Sequence, residues 1–278
     1  MSGALTFYLE RLACKDPDQR RDALEQLLTE EGFSWDTQEE EPSMKVPRGT
    51  RNYLIRTGED VPCLLFCAHY DAVPGSSGAN DNAAAVCILI RLAKALREKG
   101  ISARFAFFDG EETGNSGSRL YVSLLDRQTL TGVINLDMCG YGDSLVIYGK
   151  GHEKAPVFRQ VCSKAFLEPF HGQMVPFLPK GDDVSFARTR IPTLSIAMVP
   201  RWDIQYLKTL ATYGEGLLGR PPEFDMILGQ MEVVTTMHGG FRDSLEWMQA
   251  EAMENVYEYL LKVCHTPVDV NKKRFGLF

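Results

Sequence analysis

Apolar runs of strand length alternate with segments of helical periodicity over most of this sequence. Short runs rich in apolar residues predict strands at 51–56, 63–68, 104–108, 132–136, 145–148 and 193–198. Apolar residues at helical spacing predict helices at 83–99, 116–125, 156–166 and 248–263. Strands that alternate with helices favour a mainly parallel sheet with helices on both faces. We therefore expect a single α/β/α domain of three layers over residues 1–278, with a mixed, mainly parallel sheet.

Three further segments do not follow this alternation. Residues 3–32 predict a pair of helices that breaks at Asp16-Pro17, and residues 36–50 predict a loop or an edge strand. Residues 201–236 contain four glycines and two adjacent prolines among scattered aromatic residues. Long excursions within a compact domain are usually functional, so we expect 201–236 to be a loop-rich wall of the active site.

The composition excludes several classes of protein. A formal net charge of −7 over 278 residues gives no reason to expect a nucleic-acid or anionic-membrane partner. No run approaches the roughly 18–20 apolar residues that a membrane-spanning helix needs. The seven cysteines are odd in number and lie partly in apolar runs, which favours free thiols in a reducing compartment. With no signal peptide at the start, we expect a cytoplasmic protein; its oligomeric state is left open.

Imidazole and carboxylate side chains cluster where the predicted strands end. In open α/β sheets, ligands bind outside the carboxyl ends of the strands. Three predicted strands run directly into candidate residues, a fourth candidate precedes the 83–99 helix, and a fifth follows the strand-like run 231–237. The candidates, with two neighbouring carboxylates, are His69, Asp71, Asp81, Glu111, Glu112, Asp137 and His238. Their shared position at one edge of the sheet predicts a single centre.

The donor atoms of this centre predict bound metal. Nitrogen and oxygen ligands suit zinc, and manganese or cobalt less selectively. Asp81, Glu112 and Asp137 supply three negative charges, which two divalent ions and one bridging hydroxide would neutralise. A single ion would leave the carboxylates to raise one another's pKa values. The charge count therefore favours two metal ions.

The motifs resemble those of the zinc aminopeptidases of the aminopeptidase Y and bacterial leucyl aminopeptidase type. The similarity runs from about residue 49 to about residue 246, and its blocks come in the order of that family. They are GTRNYLI, CAHYD, GANDNAAA, DGEETGNSGS, NLDM, and a late histidine followed by RDSLE. The resemblance implies the fold of the zinc exopeptidases and the hydrolysis of N-terminal peptide bonds in a peptide or small amide substrate.

The same resemblance implies roles for individual residues. His69 and Asp137 would bind one zinc ion, Glu112 and His238 would bind the other, and Asp81 would bridge them. Asp71 would orient His69, and Glu111 would be the general base that takes a proton from the attacking water. The resemblance also makes the Asp81–Asn82 peptide bond a candidate for the cis form.

One block departs from the family pattern, and alternatives follow. Where the family usually has Ser-Asp-His, this chain has Gly181-Asp182-Asp183, so a supporting role at position 183 is in doubt.

A glutaminyl cyclase with one zinc ion is a rival interpretation, although cyclases usually carry Trp where this chain has Met237. A non-catalytic relative is a second rival, but such relatives typically lose ligands. The 25 positions between Glu112 and Asp137 leave no room for the inserted domain of many related carboxypeptidases.

Overall fold

Eight strands form one mixed sheet in the computed structural model, which describes residues 3–44, 46–213 and 221–267. The strands are β1 (Asp36–Glu40), β2 (Thr50–Thr57), β3 (Cys63–His69), β4 (Ala103–Phe108), β5 (Leu130–Leu136), β6 (Ser144–Tyr148), β7 (Gly172–Met174) and β8 (Thr193–Val199). Their order across the sheet is β1-β2-β4-β3-β5-β8-β6-β7. The central strands β4, β3, β5 and β8 are parallel, whereas β2 and β6 join them antiparallel. The predicted α/β class and mainly parallel centre are thereby confirmed.

Helices cover both faces of the sheet. They are α1 (Gly3–Leu12), α2 (Pro17–Glu30), α3 (Ala84–Glu98), α4 (Ser116–Leu124), α5 (Lys164–Leu167), α6 (Asp183–Phe186), α7 (Asp203–Leu210), α8 (Pro222–Leu228) and α9 (Ala250–Cys264). Helices α1, α2, α3 and α9 pack together on one face in the largest apolar cluster. Helices α4 and α6 cover part of the other face, and α7 and α8 cover the rest. The molecule therefore has three layers.

The central strands are buried on both faces, which explains their nearly continuous apolar sequences. In β3, Phe66 and Ala68 face the layer of α3, whereas Leu65 and Cys67 face the layer of α4. Successive side chains of a strand point to opposite faces, so a strand covered on both sides needs apolar residues throughout. Ionisable side chains are easier to place where such a strand ends, and β3 ends at His69.

Two sequence predictions of local structure were wrong. Residues 157–162 form successive turns, and a short helix, α5, begins only after Ser163, whose hydroxyl accepts the backbone N–H of Phe166. The strand-like run before His238 is a 3₁₀ helix, Glu232–Thr236. Its backbone N–H groups at Glu232 and Val233 donate to the carboxylate of Asp203, at 3.0 and 2.8 Å, instead of to a neighbouring strand.

The excursion after residue 200 is more helical than expected. Helices α7 and α8 and the 3₁₀ helix take up most of its described part, and residues 214–220 of the predicted loop lie outside the described residues. Residues 36–40 form the edge strand that the sequence allowed. Among the described residues, every helix is too short or too polar to cross a bilayer.

Candidate metal centre

Five segments of the chain meet at the carboxyl ends of the central parallel strands. β3 ends at His69, the turn after β4 carries Glu111 and Glu112, and Asp137 follows β5 directly. Asp81 lies in the irregular turn that precedes α3, and the 3₁₀ helix Glu232–Thr236 leads to His238. All five predicted metal-binding residues therefore come together in one place.

One half of the centre surrounds the ring of His69. Its Nε2 atom lies 3.4 Å from Oδ1 of Asp81 and 3.6 Å from Oδ1 of Asp137. The His69 side chain is almost completely buried, with 2% of its surface exposed. One nitrogen and two carboxylate oxygens thus face a common point.

The other half surrounds His238. Its Nε2 atom lies 3.7 Å from Oε2 of Glu112 and 4.0 Å from Oδ2 of Asp81. The backbone N–H of His238 donates to the same Oδ2 of Asp81 at 2.9 Å. The two carboxylate oxygens of Asp81 therefore face different imidazoles, one in each half of the centre.

Asp71 links the first half to the turn that carries the glutamates. Its Oδ1 lies 3.3 Å from Nδ1 of His69. Its two oxygens also accept the backbone N–H groups of Glu111 and Glu112, at 3.1 and 3.2 Å. A carboxylate on the far ring nitrogen fixes the orientation of an imidazole, so Asp71 holds the His69 ring and the glutamate turn in one arrangement.

Three buried polar atoms of this centre have no hydrogen-bond partner within the described part of the chain. They are Nε2 of His69, Oε1 of Glu112 and Oδ1 of Asp137. Burying such atoms without a partner is costly, and a divalent cation is the partner that imidazole nitrogen and carboxylate oxygen share. The donor set therefore fits bound metal.

The pKa values of the acidic residues point the same way. Burial, together with neighbouring carboxylates, raises the pKa of Glu111 and of Glu112 to about 8. Burial also raises the pKa of Asp137. The pKa of Asp81 is lowered despite its burial, because His69 and the N–H of His238 contact its carboxylate. Carboxylates this crowded repel one another, and cations between them relieve that repulsion.

Glu111 lies beside the centre with one oxygen held in place. Its Oε1 accepts a hydrogen bond from the side-chain amide of Asn115 at 3.1 Å. The sequence did not single out Asn115, although its place in the run DGEETGNSGS, four residues after Glu111, was a possible signal. This hydrogen bond fixes the direction in which the second oxygen of Glu111 points.

The turn around Asp81 is held by the side chains of two asparagines that were not among the predicted site residues. The Asn82 side chain donates to the carbonyl of Leu136 at 2.9 Å, and the Asn80 side chain accepts the N–H of Gly140 at 2.7 Å. The peptide bond between Asp81 and Asn82 is cis, as predicted. These contacts fix the turn to the segment that follows β5.

Asp243 braces the same turn from the other side. Its buried carboxylate accepts the backbone N–H of Asn80 at 2.9 Å and that of Asp81 at 3.3 Å, as well as the hydroxyl of Ser76 at 2.5 Å. The backbone N–H of His238 also donates to Asp81. The segment that carries His238 and Asp243 and the turn that carries Asp81 therefore hold each other in place. The block RDSLE contained Asp243, but its sequence alone assigns it no contact.

The departing block Gly181-Asp182-Asp183 lies against the centre. A Cβ atom on Gly181 would lie 3.0 Å from Oδ2 of Asp137, so a larger residue there would require that carboxylate to shift. Burial raises the pKa of Asp182, whose side chain is almost completely enclosed, to about 7. Asp183 accepts the N–H of Gly181 at 3.0 Å, so position 183 supports the backbone beside Asp137.

Fold and side chains together define an α/β protein with a buried imidazole–carboxylate centre suited to divalent cations. Comparison with known families makes this class specific. The profile described as Peptidase family M28 matches residues 53–215, more than half of the chain. The chain belongs to peptidase family M28.

Relatives and solved structures agree with this assignment. The probable lipoprotein aminopeptidase LpqL of Mycobacterium tuberculosis is 32% identical over an alignment of 120 residues, which covers 38% of this chain and 24% of LpqL. The chain thus spans about a quarter of that relative's length. A Zn-dependent exopeptidase from Parabacteroides distasonis has a TM-score of 0.68 at 17% identity, covering 96% of this chain and 98% of that one. A glutaminyl cyclase from Porphyromonas gingivalis has a TM-score of 0.69 at 16% identity, with 95% and 98% covered. These structures share the fold.

Proposed function

We propose that this chain is a zinc-dependent aminopeptidase, which hydrolyses the N-terminal peptide bond of its substrates with two divalent cations. Membership of peptidase family M28 supports hydrolysis of peptides. LpqL is named as a probable lipoprotein aminopeptidase, which supports cleavage at the N-terminus. The exopeptidase with the same fold is named as Zn-dependent, which supports zinc as the metal. Manganese or cobalt could replace zinc at nitrogen and oxygen ligands.

The observation that carries this proposal is the position of Asp81 between two imidazoles. Its Oδ1 lies 3.4 Å from His69 and its Oδ2 lies 4.0 Å from His238. His69 and Asp137 would hold one cation, Glu112 and His238 would hold the other, and Asp81 would contact both. Bridging uses both oxygens of one carboxylate, which a site for a single ion would not require.

The remaining side chains support a hydrolytic reaction. Two divalent cations held at such a centre would lower the pKa of water and polarise the scissile carbonyl group. Glu111 accepts the proton of the attacking water and passes it to the leaving amine. Asn115 holds one carboxylate oxygen of Glu111, so the other is free to take the proton. Asp71 keeps His69 and the Glu111 turn in register.

Metal analysis combined with a substrate panel tests the proposal. Protein purified without chelators should contain close to two zinc ions per chain, measured by elemental analysis. It should release the amine from aminoacyl anilides and should refuse their N-acetylated forms, because an aminopeptidase needs a free N-terminus. Equal cleavage of both forms would refute the proposal.

The same assays separate the alternatives. A glutaminyl cyclase would release ammonia from peptides that begin with glutamine, without releasing an amino acid. The similarity to the Porphyromonas gingivalis cyclase makes this the second candidate. A non-catalytic relative would bind no zinc and would show no thermal shift when zinc is added.

The cellular location of this protein and the bounds of its domain stay predictions. The seven cysteines, of which five are buried, form no disulfide, and this supports the proposed cytoplasmic location because disulfides are rare in reducing compartments. We also propose that residues 1–278 form one metallopeptidase domain.

A further inference from the structure

A cavity of about 780 Å³ lies on the α4 and α7 face of the sheet, beside the metal centre. Ser195 of β8 contributes to its floor, Val184 and Ala187 belong to one wall, and Leu210 and Phe224 belong to the opposite wall. Pockets for small ligands commonly measure roughly 300–1000 Å³. We call it the α4–α7 cavity; it has room for a short peptide segment.

Two residues connect the α4–α7 cavity to the reacting groups. Asn115 lines the cavity and donates to Oε1 of Glu111 at 3.1 Å. Asp183 lines it too, and also lines a small pocket that reaches Asp137. The inner end of the cavity therefore opens beside both the proposed general base and the proposed metal ligands.

The cavity also carries cations without carboxylate partners. Arg119 and Lys150 both line it and are exposed. Among the described residues, neither side chain forms an ion pair with a carboxylate. Two unpaired positive charges in a cleft with apolar walls attract a carboxylate.

We propose that the α4–α7 cavity receives the part of the substrate that follows the scissile bond, and that Arg119 and Lys150 bind its free carboxylate. The preferred substrates are then dipeptides and tripeptides with a free C-terminus. This inference rests on the proposed aminopeptidase function and names its substrate class.

The length of the α4–α7 cavity fits short peptides. Arg119 lies four residues after Asn115, and its backbone N–H donates to the carbonyl of Asn115 at 3.0 Å, so it is one helical turn of α4 farther from Glu111. One turn advances ~5.4 Å along a helix, and two extended residues span ~7 Å. The carboxylate of a dipeptide or tripeptide therefore reaches the guanidinium group, whereas a longer chain would have to pass it.

The test compares a tripeptide acid with its C-terminal amide in the zinc-loaded protein. Wild-type protein should have a kcat/KM about tenfold higher for Leu-Gly-Gly than for Leu-Gly-Gly-amide, because a charge-assisted hydrogen bond is lost in the amide. Arg119→Ala should reduce that preference to about twofold, and Arg119→Lys should retain part of it. Lys164→Ala, an exposed change on α5 outside the cavity, should leave the preference unchanged.

A leucyl anilide, which has no carboxylate after the scissile bond, separates this inference from the function on which it rests. Arg119→Ala should cleave the anilide as wild type does. If wild type cleaves the anilide but treats acid and amide alike, the inference is wrong and the aminopeptidase function stands. If wild type cleaves none of the three, the proposed function fails and the inference fails with it.

Discussion

At the scale of single residues, the centre depends on carboxylates with different tasks. Asp81 faces both imidazoles, Asp71 fixes a ring and a turn, and Asp243 fixes the backbone of Asp81. Glu111 is the only one of these that we assign to proton transfer. All four side chains are carboxylates, but each contacts different groups. Substituting them one at a time should therefore show which task each one has.

Glu111→Gln should lower kcat on an aminoacyl anilide by about a hundredfold to ten-thousandfold, because general base catalysis is lost. Its zinc content should stay at the wild-type level, since Glu111 is not among the proposed ligands. Elemental analysis and steady-state kinetics on the same sample measure both effects. Glu168→Gln, an exposed change far along the chain, is the control. Activity near the wild-type level in Glu111→Gln would remove that residue from the base role.

Asp243→Asn should weaken zinc binding about tenfold to a hundredfold, the usual cost of losing a partner that orients a metal ligand. Titration with a competing chelator measures this affinity, and excess zinc should restore kcat. Asp126→Asn is the control, because the Asp126 carboxylate also accepts a backbone N–H, that of Gln128 at 3.0 Å, in the 3₁₀ turn before β5. Asp126→Asn should leave zinc affinity unchanged. Equal zinc affinities in both variants would contradict the bracing role.

At the scale of elements, the N-terminal helical pair supports the turn that carries Asp81. Arg20 of α2 is 3% exposed and donates to the carbonyls of Ser77 and Gly78, at 2.5 and 3.4 Å, and to that of Cys14 at 2.6 Å. A cation so deeply buried satisfies carbonyl groups that water cannot reach. The helix α2 is thus joined to the start of the turn before α3.

Arg20→Met should lower the free energy of unfolding by about 2–4 kcal/mol, because buried carbonyls lose their donors. Arg21→Met is the neighbouring control: Arg21 pairs with Asp18 at the surface, and a surface pair contributes about 0–1 kcal/mol. Urea denaturation of both variants measures the difference. If the two variants are equally stable, the contact of α2 with the turn contributes nothing to folding.

At the scale of the whole molecule, the metal centre joins segments that are far apart in sequence. His69 and His238 lie on opposite sides of Asp81 in space, yet 169 positions separate them in the chain. Such a centre exists only once the sheet and both helical layers have formed. A metal that binds the folded state alone must therefore stabilise the fold as a whole.

Removing zinc with a chelator should lower the Tm, and returning zinc should restore it. A free zinc concentration one hundred times the Kd adds ~2.7 kcal/mol of stability for one site, and a second site adds to that. Differential scanning calorimetry at several zinc concentrations measures the shift. Asp81→Ala should show little or no shift, since it loses the proposed bridge, and a Tm independent of zinc in the wild-type chain would contradict a structural contribution of the metal.

The sequence by itself determined the parts of this protein that depend on neighbouring residues. Nearly continuous apolar runs located the central strands, because a strand buried on both faces tolerates few polar side chains. The ends of those strands located His69 and Asp137, since polar residues return where the apolar runs end. The end of the 104–108 strand located Glu112, and Asp81 and His238 were located by their places before the 83–99 helix and after the run 231–237. The resemblance to zinc aminopeptidases then implied which of these residues share an ion.

The tertiary structure decided what depends on distant partners. Residues 232–236 form a 3₁₀ helix because Asp203 binds their N–H groups, and no local pattern reveals that contact. Asp243 is a brace because Asn80 and Asp81 lie against it, more than 160 positions away in the chain. The two carboxylate oxygens of Asp81 face the imidazoles of His69 and His238 only after the segments that carry these residues have packed together. Hydrogen bonds between distant segments have no signature in a single sequence, since either partner alone looks like an ordinary polar residue.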